Sequence, residues 1–284
     1  MINDHEWVCE KWPYVETRYL VRSILYDEKS DFQHVQIVDT HQYGKMLVLD
    51  GIVQTTEKDE FVYHEMMVHV PMLSHPEPLS VLIIGGGDGG ILREVLRYES
   101  VKKVVMVEID FIVIDLCMEY IPSINNGAFE DKRTDLIISD GAAYVQETDE
   151  KFDVVIVDSP DPIGPAKVLF SNQFYKDIYG IMNPNAVLAR QTGSTHIQPG
   201  EQKEAFDILK NIFSNVNLYL FTVPTYVGGL FSAMFCSDDI DPMDADIDIL
   251  NQKIEKNNIQ SLYYNPWIHK GAFHVPAFIK ERLS

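Results

Sequence analysis

Four carboxylates stand where a ligand would be met: Asp88 within Gly85-Gly86-Gly87-Asp88-Gly89-Gly90, Glu108 after Val104-Val105-Met106-Val107, Asp140 before Gly141, and Asp158 after Val154-Val155-Ile156-Val157. The apolar runs read as buried strands and the segments that follow as helices, so each acid lies at or just beyond the carboxyl end of a strand. In open parallel sheets ligands bind there. Gly85, Gly87 and Gly90 satisfy the spacing G-x-G-x-x-G, with Glu108 as an acceptor for ribose hydroxyls. That spacing serves NAD enzymes and adenosylmethionine enzymes alike, and Asp88 separates them. A dinucleotide would lay its pyrophosphate on the helix N-terminus, where Asp88 at roughly 4 Å would cost about 4 kcal/mol at an effective dielectric near 20. A cationic ligand would gain by a similar amount. Asp88 also reads as a helix cap, Asp140-Gly141 as an ordinary turn, and Asp158 with Asp161 as turn formers in a proline-rich loop. If Asp158 is instead a proton acceptor, neighbouring carboxylates raise its proton affinity and bound cations lower it.

The elements that must hold these residues follow from periodicity. Residues 17 to 56 alternate apolar and polar, with turn signals at Tyr43-Gly44-Lys45 and Leu49-Asp50-Gly51, and predict a small antiparallel sheet. Residues 58 to 73 carry Phe61, Met66, Val70 and Leu73 at helical spacing. From Val81 onward strands at 104–107, 136–138, 154–157 and 187–189 alternate with helices, which predicts an α/β fold with a parallel, Rossmann-like sheet of methyltransferase type. A helix over 199–213 and strands near 216–223 and 230–236 complete it. The expected division is an N-terminal β domain over 1–57 and a catalytic domain over 58–284. The segment from Ser159 to Leu169 reads as a loop that closes over a ligand or as a rigid connection, and Asp238 to Pro242 as a solvated loop.

With 284 residues, 46% of them apolar, the chain can bury one large core with a small appended domain. Its formal charge of -20, from 43 acidic against 23 basic residues, argues against nucleic acid or an anionic membrane surface as partner and favours cationic small molecules. Cys9, Cys117 and Cys236 form no CxxC pair, which argues against a zinc knuckle or a disulfide framework and fits a reducing cytoplasm. No leader-like N-terminus and no membrane-spanning apolar run is read, so a soluble cytoplasmic protein is expected.

The order and spacing of several segments resemble the polyamine aminopropyltransferases, the spermidine synthase family, along nearly the whole chain. They are Leu49 to Glu57 with Asp59-Glu60-Phe61-Val62-Tyr63-His64-Glu65, the glycine turn, Asp158-Ser159-Pro160-Asp161-Pro162-Ile163-Gly164-Pro165, Pro224-Thr225-Tyr226, and Tyr263-Tyr264-Asn265-Pro266 with Ile268-His269. The donor in that family is decarboxylated S-adenosylmethionine, a dicationic co-substrate, and no separate cofactor or metal is implied. The resemblance implies that Asp88 takes the donor's ammonium, Glu108 the ribose hydroxyls, and Asp140 with Gly141 the adenine, with Gln33 and Pro165 as further donor contacts. It makes Asp158 the proton acceptor and Asp161 an anchor for the attacking amine. Tyr63, His64 and Tyr226 are implied in binding the acceptor, putrescine or a similar diamine. Taken alone, Tyr63 and His64 are packing residues of a helix and Gln33 is unremarkable. A homodimer or homotetramer built partly through the N-terminal sheet is implied as well. Two positions depart from the pattern. Pro160 stands where relatives more often have Ser or Thr, and Gly193 stands where some relatives carry an acid, which predicts a roomier or less polar far end and acceptance of cadaverine or another longer amine beside putrescine. The rival readings are a methyltransferase on the same fold, disfavoured by Asp88, a NAD-dependent oxidoreductase, and a polyamine-binding protein without turnover.

Overall fold

The computed structural model describes residues 6–159 and 169–284. Pro160, Asp161 and Pro165, with most of the loop expected to cover a ligand, lie outside the described residues. The chain runs through β1 (Trp7–Trp12), β2 (Val15–Lys29), β3 (His34–Thr40), β4 (Gly44–Leu49), β5 (Ile52–Thr56), α1 (Glu60–Ser74), β6 (Ser80–Gly85), α2 (Gly90–Val95), β7 (Lys103–Glu108), α3 (Phe111–Tyr120), α4 (Pro122–Asn125), β8 (Thr134–Ile138), α5 (Gly141–Glu147) and β9 (Phe152–Asp158). It continues through α6 (Asn172–Gly180), β10 (Met182–Ser194), α7 (Pro199–Leu209), β11 (Asn215–Thr222), β12 (Leu230–Ser237), α8 (Ile247–Lys256), α9 (Pro266–Ala272) and α10 (Ala277–Leu283).

Strands β1 to β5 pair in sequence as an antiparallel sheet. It begins earlier than the alternation over 17–56 predicts, because β1 turns Val8 and Glu10 inward. A buried glutamate on the inner face breaks the apolar rhythm by which a strand is recognised. The second sheet has the order β11-β12-β10-β9-β6-β7-β8. Strands β6 to β10 are parallel, while β11 and β12 form an antiparallel edge that the purely parallel reading did not contain. Val81 and Ile83 of β6 face a core shared with α1, α2, α8 and α9, whereas Leu82 and Ile84 face one shared with α5, α6, α7 and α10. Helices cover both faces, which is why the strands read as unbroken apolar runs. Each fully buried aliphatic side chain contributes about 1.5–3 kcal/mol.

The two sheets are joined by packing and by polar contacts. Val113, Leu116 and Cys117 of α3 pack on Val35, Ile37 and Leu47 of the N-terminal sheet. Helix α1 is buried on nearly every side, not along one stripe, as a helix enclosed by two layers must be. It starts at Glu60, later than the predicted 58, and the Asp59 carboxylate is engaged elsewhere. It accepts from Thr56 Oγ1 at 2.6 Å and from Thr225 N and Oγ1 at 2.9 and 2.8 Å. The predicted helix over 199–213 ends at Leu209. The acidic run at Asp238 is not simply solvated: Asp238 accepts from Tyr179 Oη at 2.7 Å and Ser214 N at 2.8 Å. Among the described residues no helix is long and apolar enough to cross a membrane.

Candidate active site

The chain reverses its direction of winding between β6 and β9, where Gly85 lies in register with Asp158. Gly85 has φ +83°, and a Cβ there would sit 2.0 Å from the Asp158 carbonyl oxygen, so only glycine lets the two strands close at this point. The crevice opens into a cavity whose wall includes Gln33, Tyr63, His64, Asp88, Glu108, Asp140, Gly141, Asp158 and Tyr226. Every predicted site residue within the described part of the chain therefore converges on one space. The wall carries six carboxylates, from Glu10, Asp50, Asp88, Glu108, Asp140 and Asp158, and no lysine or arginine among the described residues. Such a lining suits a cationic ligand and opposes a pyrophosphate.

Asp88 is not the cap of α2, whose N-cap position is held by Gly89. Its Oδ1 accepts from Gly90 N at 2.8 Å within the turn that leads into the helix, while Oδ2 lies 3.2 Å from His64 Nε2 at the cavity wall. The carboxyl is held below its usual range: burial opposes ionisation, but His64, the Gly90 amide and Arg93 outweigh it. His64 is in turn gripped from behind, its Nδ1 lying 2.5 Å from Glu60 Oε2. Burial pulls the imidazole down, yet Asp88 and Glu60 push it up to about 10. Asp88 is thus a compensated charge, and the roughly 4 kcal/mol assigned to it as a bare carboxylate is an upper bound. Gly90 makes room for this arrangement, since a Cβ there would fall 2.2 Å from His64 Cε1.

Asp158 closes the opposite side. Its Oδ1 accepts from Tyr63 Oη at 2.5 Å. Burial and the nearby Asp88 push its carboxyl up to about 6, against the Tyr63 hydrogen bond and the His64 charge. The Tyr63 ring meets Tyr226 edge-on, with centroids 5.5 Å apart, and Tyr226 spends its hydroxyl on Gln54 O at 2.7 Å. An aromatic wall results, stiffened by the same β5 segment that enters α1.

At the end of β7, Glu108 is pushed up to about 7 by burial, with Asp110 adding to the shift and backbone amides opposing it. Asp110 is a residue that sequence reasoning missed. It caps α3 through Ile112 N and accepts from Ser30 Oγ at 2.6 Å and Gln33 Nε2 at 2.9 Å, which anchors Gln33 at the cavity. Asp140 caps α5 through Ala142 N and Ala143 N, so its turn reading holds alongside its place in the wall. Glu10, Trp12, Gln191 and Gln198 also line the cavity and went unread. Gln191 grips the end of the acidic turn by donating to Ser159 O at 2.9 Å. Gly193 has φ +74°, and a Cβ there would lie 2.6 Å from Gln198 Oε1, so the polar tip of a glutamine stands beside the position where some relatives were expected to carry an acid.

A Rossmann-like sheet with acids at its strand ends, facing one cavity, defines a class of α/β protein with an acidic cleft suited to a cationic ligand. The relatives make the class specific. A Spermine/spermidine synthase domain matches residues 60–246, and a Spermidine synthase tetramerisation domain matches residues 6–57. Polyamine aminopropyltransferases of Serratia proteamaculans and Thermoanaerobacter sp. are 41% and 46% identical, over 94% and 92% of this chain and 93% and 92% of theirs. A crystal structure of spermidine synthase in complex with the transition state analogue AdoDATO superposes with a TM-score of 0.94 at 38% identity, covering 99% of this chain and 95% of that one. The spermidine synthase of Thermotoga maritima superposes with a TM-score of 0.92, also at 38% identity, over 99% and 94% of the two chains. The chain belongs to the spermine/spermidine synthase family of polyamine aminopropyltransferases.

Proposed function

We propose that the protein transfers the aminopropyl group of decarboxylated S-adenosylmethionine to putrescine, giving spermidine and methylthioadenosine, with Asp158 as proton acceptor. The observation that carries this reading is Asp158 itself, a half-buried carboxyl oriented by Tyr63 and facing Asp88 across a cavity without lysine or arginine on its described wall. Glu108, Gln33, Asp140, Gly141 and Pro165 hold the adenosyl part, and Asp88 takes the donor ammonium. Asp161, His64 and the rings of Tyr63 and Tyr226 guide the acceptor.

An alkyl ammonium with a pKa near 10.4 must lose a proton before it can attack carbon, at a cost of about 4.6 kcal/mol at pH 7. Asp158 accepts that proton. The freed nitrogen lone pair then forms a bond to the propyl carbon as the carbon–sulfur bond breaks, its electrons leaving on a neutral thioether. The leaving group is good enough that no metal is required, so alignment of the two substrates supplies most of the remaining acceleration. The sharp test is a product assay with decarboxylated donor and putrescine. Asp158→Asn should lower turnover by about 100-fold to 10000-fold, the usual worth of a general base, while methylthioadenosine still binds; undiminished turnover would overturn the assignment. Cadaverine and triamines in the same assay define the acceptor range. A chain that binds diamines and forms no product would be a polyamine-binding protein instead.

A further inference from the structure

The reading above uses His64 at the substrate side, but the side chains behind it do not reach the cavity. His64 lies on α1 with both ring nitrogens against carboxylates: Nδ1 is 2.5 Å from Glu60 Oε2 and Nε2 is 3.2 Å from Asp88 Oδ2. Its side chain is 2% exposed, so water cannot stand in for either contact. Glu60 is held in turn by a forked pair with Arg93 of α2, at 3.0 Å from Nη1 to Oε1 and 2.9 Å from Nη2 to Oε2. Arg93 also donates to the Ile124 carbonyl, which fixes its plane.

We propose that Glu60 is a positioning residue for the donor-ammonium site, holding His64 as an imidazolium whose Nε2–H stays fixed on Asp88, while Arg93 fixes the orientation of Glu60. The argument is one of donors and acceptors. An ionised carboxylate only accepts, so an imidazole between two of them must donate from both nitrogens, and only the imidazolium can. Remaining groups around the ring change this little: Asp158, at the end of β9, adds a further negative charge, and Tyr63 meets the ring edge-on. Burial favours neutrality but is outweighed by Asp88 and Glu60. Arg93 sets the limit, because it shares the charge of Glu60, a carboxylate that His64 first and Arg93 second keep ionised against its burial. The consequence is a tempered anion: Asp88 faces the cavity already paired, so an incoming ammonium meets an oriented carboxylate of reduced charge. This role rests on the aminopropyltransferase reading for its substrate, though not for the state of His64.

Two variants test it with opposite signs. Histidine-labelled NMR, with His64→Asn identifying the signal, should show the wild-type ring protonated throughout about pH 6 to 9. Glu60→Gln keeps the shape and removes the charge, so a titration of His64 should appear within that window. Arg93→Gln removes the opposing cation and should leave the ring protonated. Loss of packing alone would move both variants toward the ordinary value near 6.5, and that result would overturn the proposal, as would a wild-type ring that titrates there. In Glu60→Gln the KM for decarboxylated donor should fall by about threefold or more as His64 loses its proton and unmasks Asp88, with no such step in the wild type; a flat KM would refute the link to donor binding. The NMR titration needs no substrate. Wild-type protein that forms no aminopropylated product would therefore sink the functional reading while leaving the protonation of His64 decided.

Discussion

In the proposed mechanism Asp158 must be ionised to take a proton, and it sits in surroundings that resist ionisation. Its folded-state value of about 6 lies above the 3.8 of an unstrained aspartate. Activity that depends on the carboxylate is therefore lost as pH falls through about 6. After correction for the ionisation of the amine, kcat/KM for the acceptor should fall about tenfold per unit below that point, and a profile flat down to pH 5 would contradict it. Stability carries the opposite sign. Below the unfolded value the group is protonated in both states; as pH rises through the folded value the native state bears a buried charge the unfolded chain does not, and the advantage of the protonated form is lost. Asp158→Asn should accordingly raise the stability at pH 8 by about 1–3 kcal/mol, taking 1.36 kcal/mol per unit, measured by chemical denaturation. A destabilised variant would show that the Tyr63 hydrogen bond outweighs burial. The strand-end acids were legible because each follows an apolar run directly. Glu60, Asp110 and Glu10 were not, because their meaning lies in partners far along the chain. Glu60 is the instructive case, since its spacing of four from His64 was visible while Arg93 was not.

The elements show the same division. Strands β6 to β10 were legible as apolar runs, but β1 was hidden by its inward glutamate, and the antiparallel edge by strand directions that periodicity does not encode. What no local pattern shows is how the C-terminal segment is held on α1. Glu65, next to His64 and only 2% exposed, accepts from the backbone amides of Leu262, Tyr263 and Tyr264 at 2.7, 2.8 and 2.7 Å. Replacing it with alanine strands the buried Tyr264 amide and leaves those of Leu262 and Tyr263 to water, and should cost about 1–3 kcal/mol, the penalty for one buried group left unsatisfied. Because α1 also carries Tyr63 and His64, KM for both substrates should rise in Glu65→Ala at temperatures where the protein remains folded. Unchanged melting would mean that water replaces the carboxylate. A second tie acts on one side of the site only. Asp59 holds Thr225, the neighbour of Tyr226, and Tyr19 donates to the Thr225 carbonyl at 2.7 Å. Asp59→Ala should therefore raise KM for the acceptor by more than that for the donor, and steady-state kinetics with each substrate varied in turn would reveal an equal rise if the loop served both.

At the scale of the whole molecule, two features bear on the site at once. The N-terminal sheet supplies Glu10, Trp12 and Gln54 to the cavity wall, and it leaves Trp7, Tyr14, Val15 and Ile24 exposed on β1, β2 and the turn between them. A dimer or tetramer formed through that sheet, as proposed from the resemblance and consistent with the tetramerisation domain matched there, would press on the acceptor end of the cavity; light scattering gives the subunit count directly. The second feature is the charge of -20. A field of that sign draws cations toward an acidic cleft and also sets the protein's own carboxylates against one another. Salt screens both over a Debye length of about 8–10 Å near physiological ionic strength, so raising it should move the two properties in opposite directions. The kcat/KM for the dicationic donor and for a diamine should fall, while stability to urea rises. Methylthioadenosine, which carries no charge, is the control: its affinity should stay level across the same salt series. If methylthioadenosine weakened in parallel with the cationic substrates, salt would be acting on the structure of the pocket and not on the approach of charge. If neither moved, the ion pairs around Asp88 would already have neutralised the cleft, and the acidity of the chain would serve solubility alone.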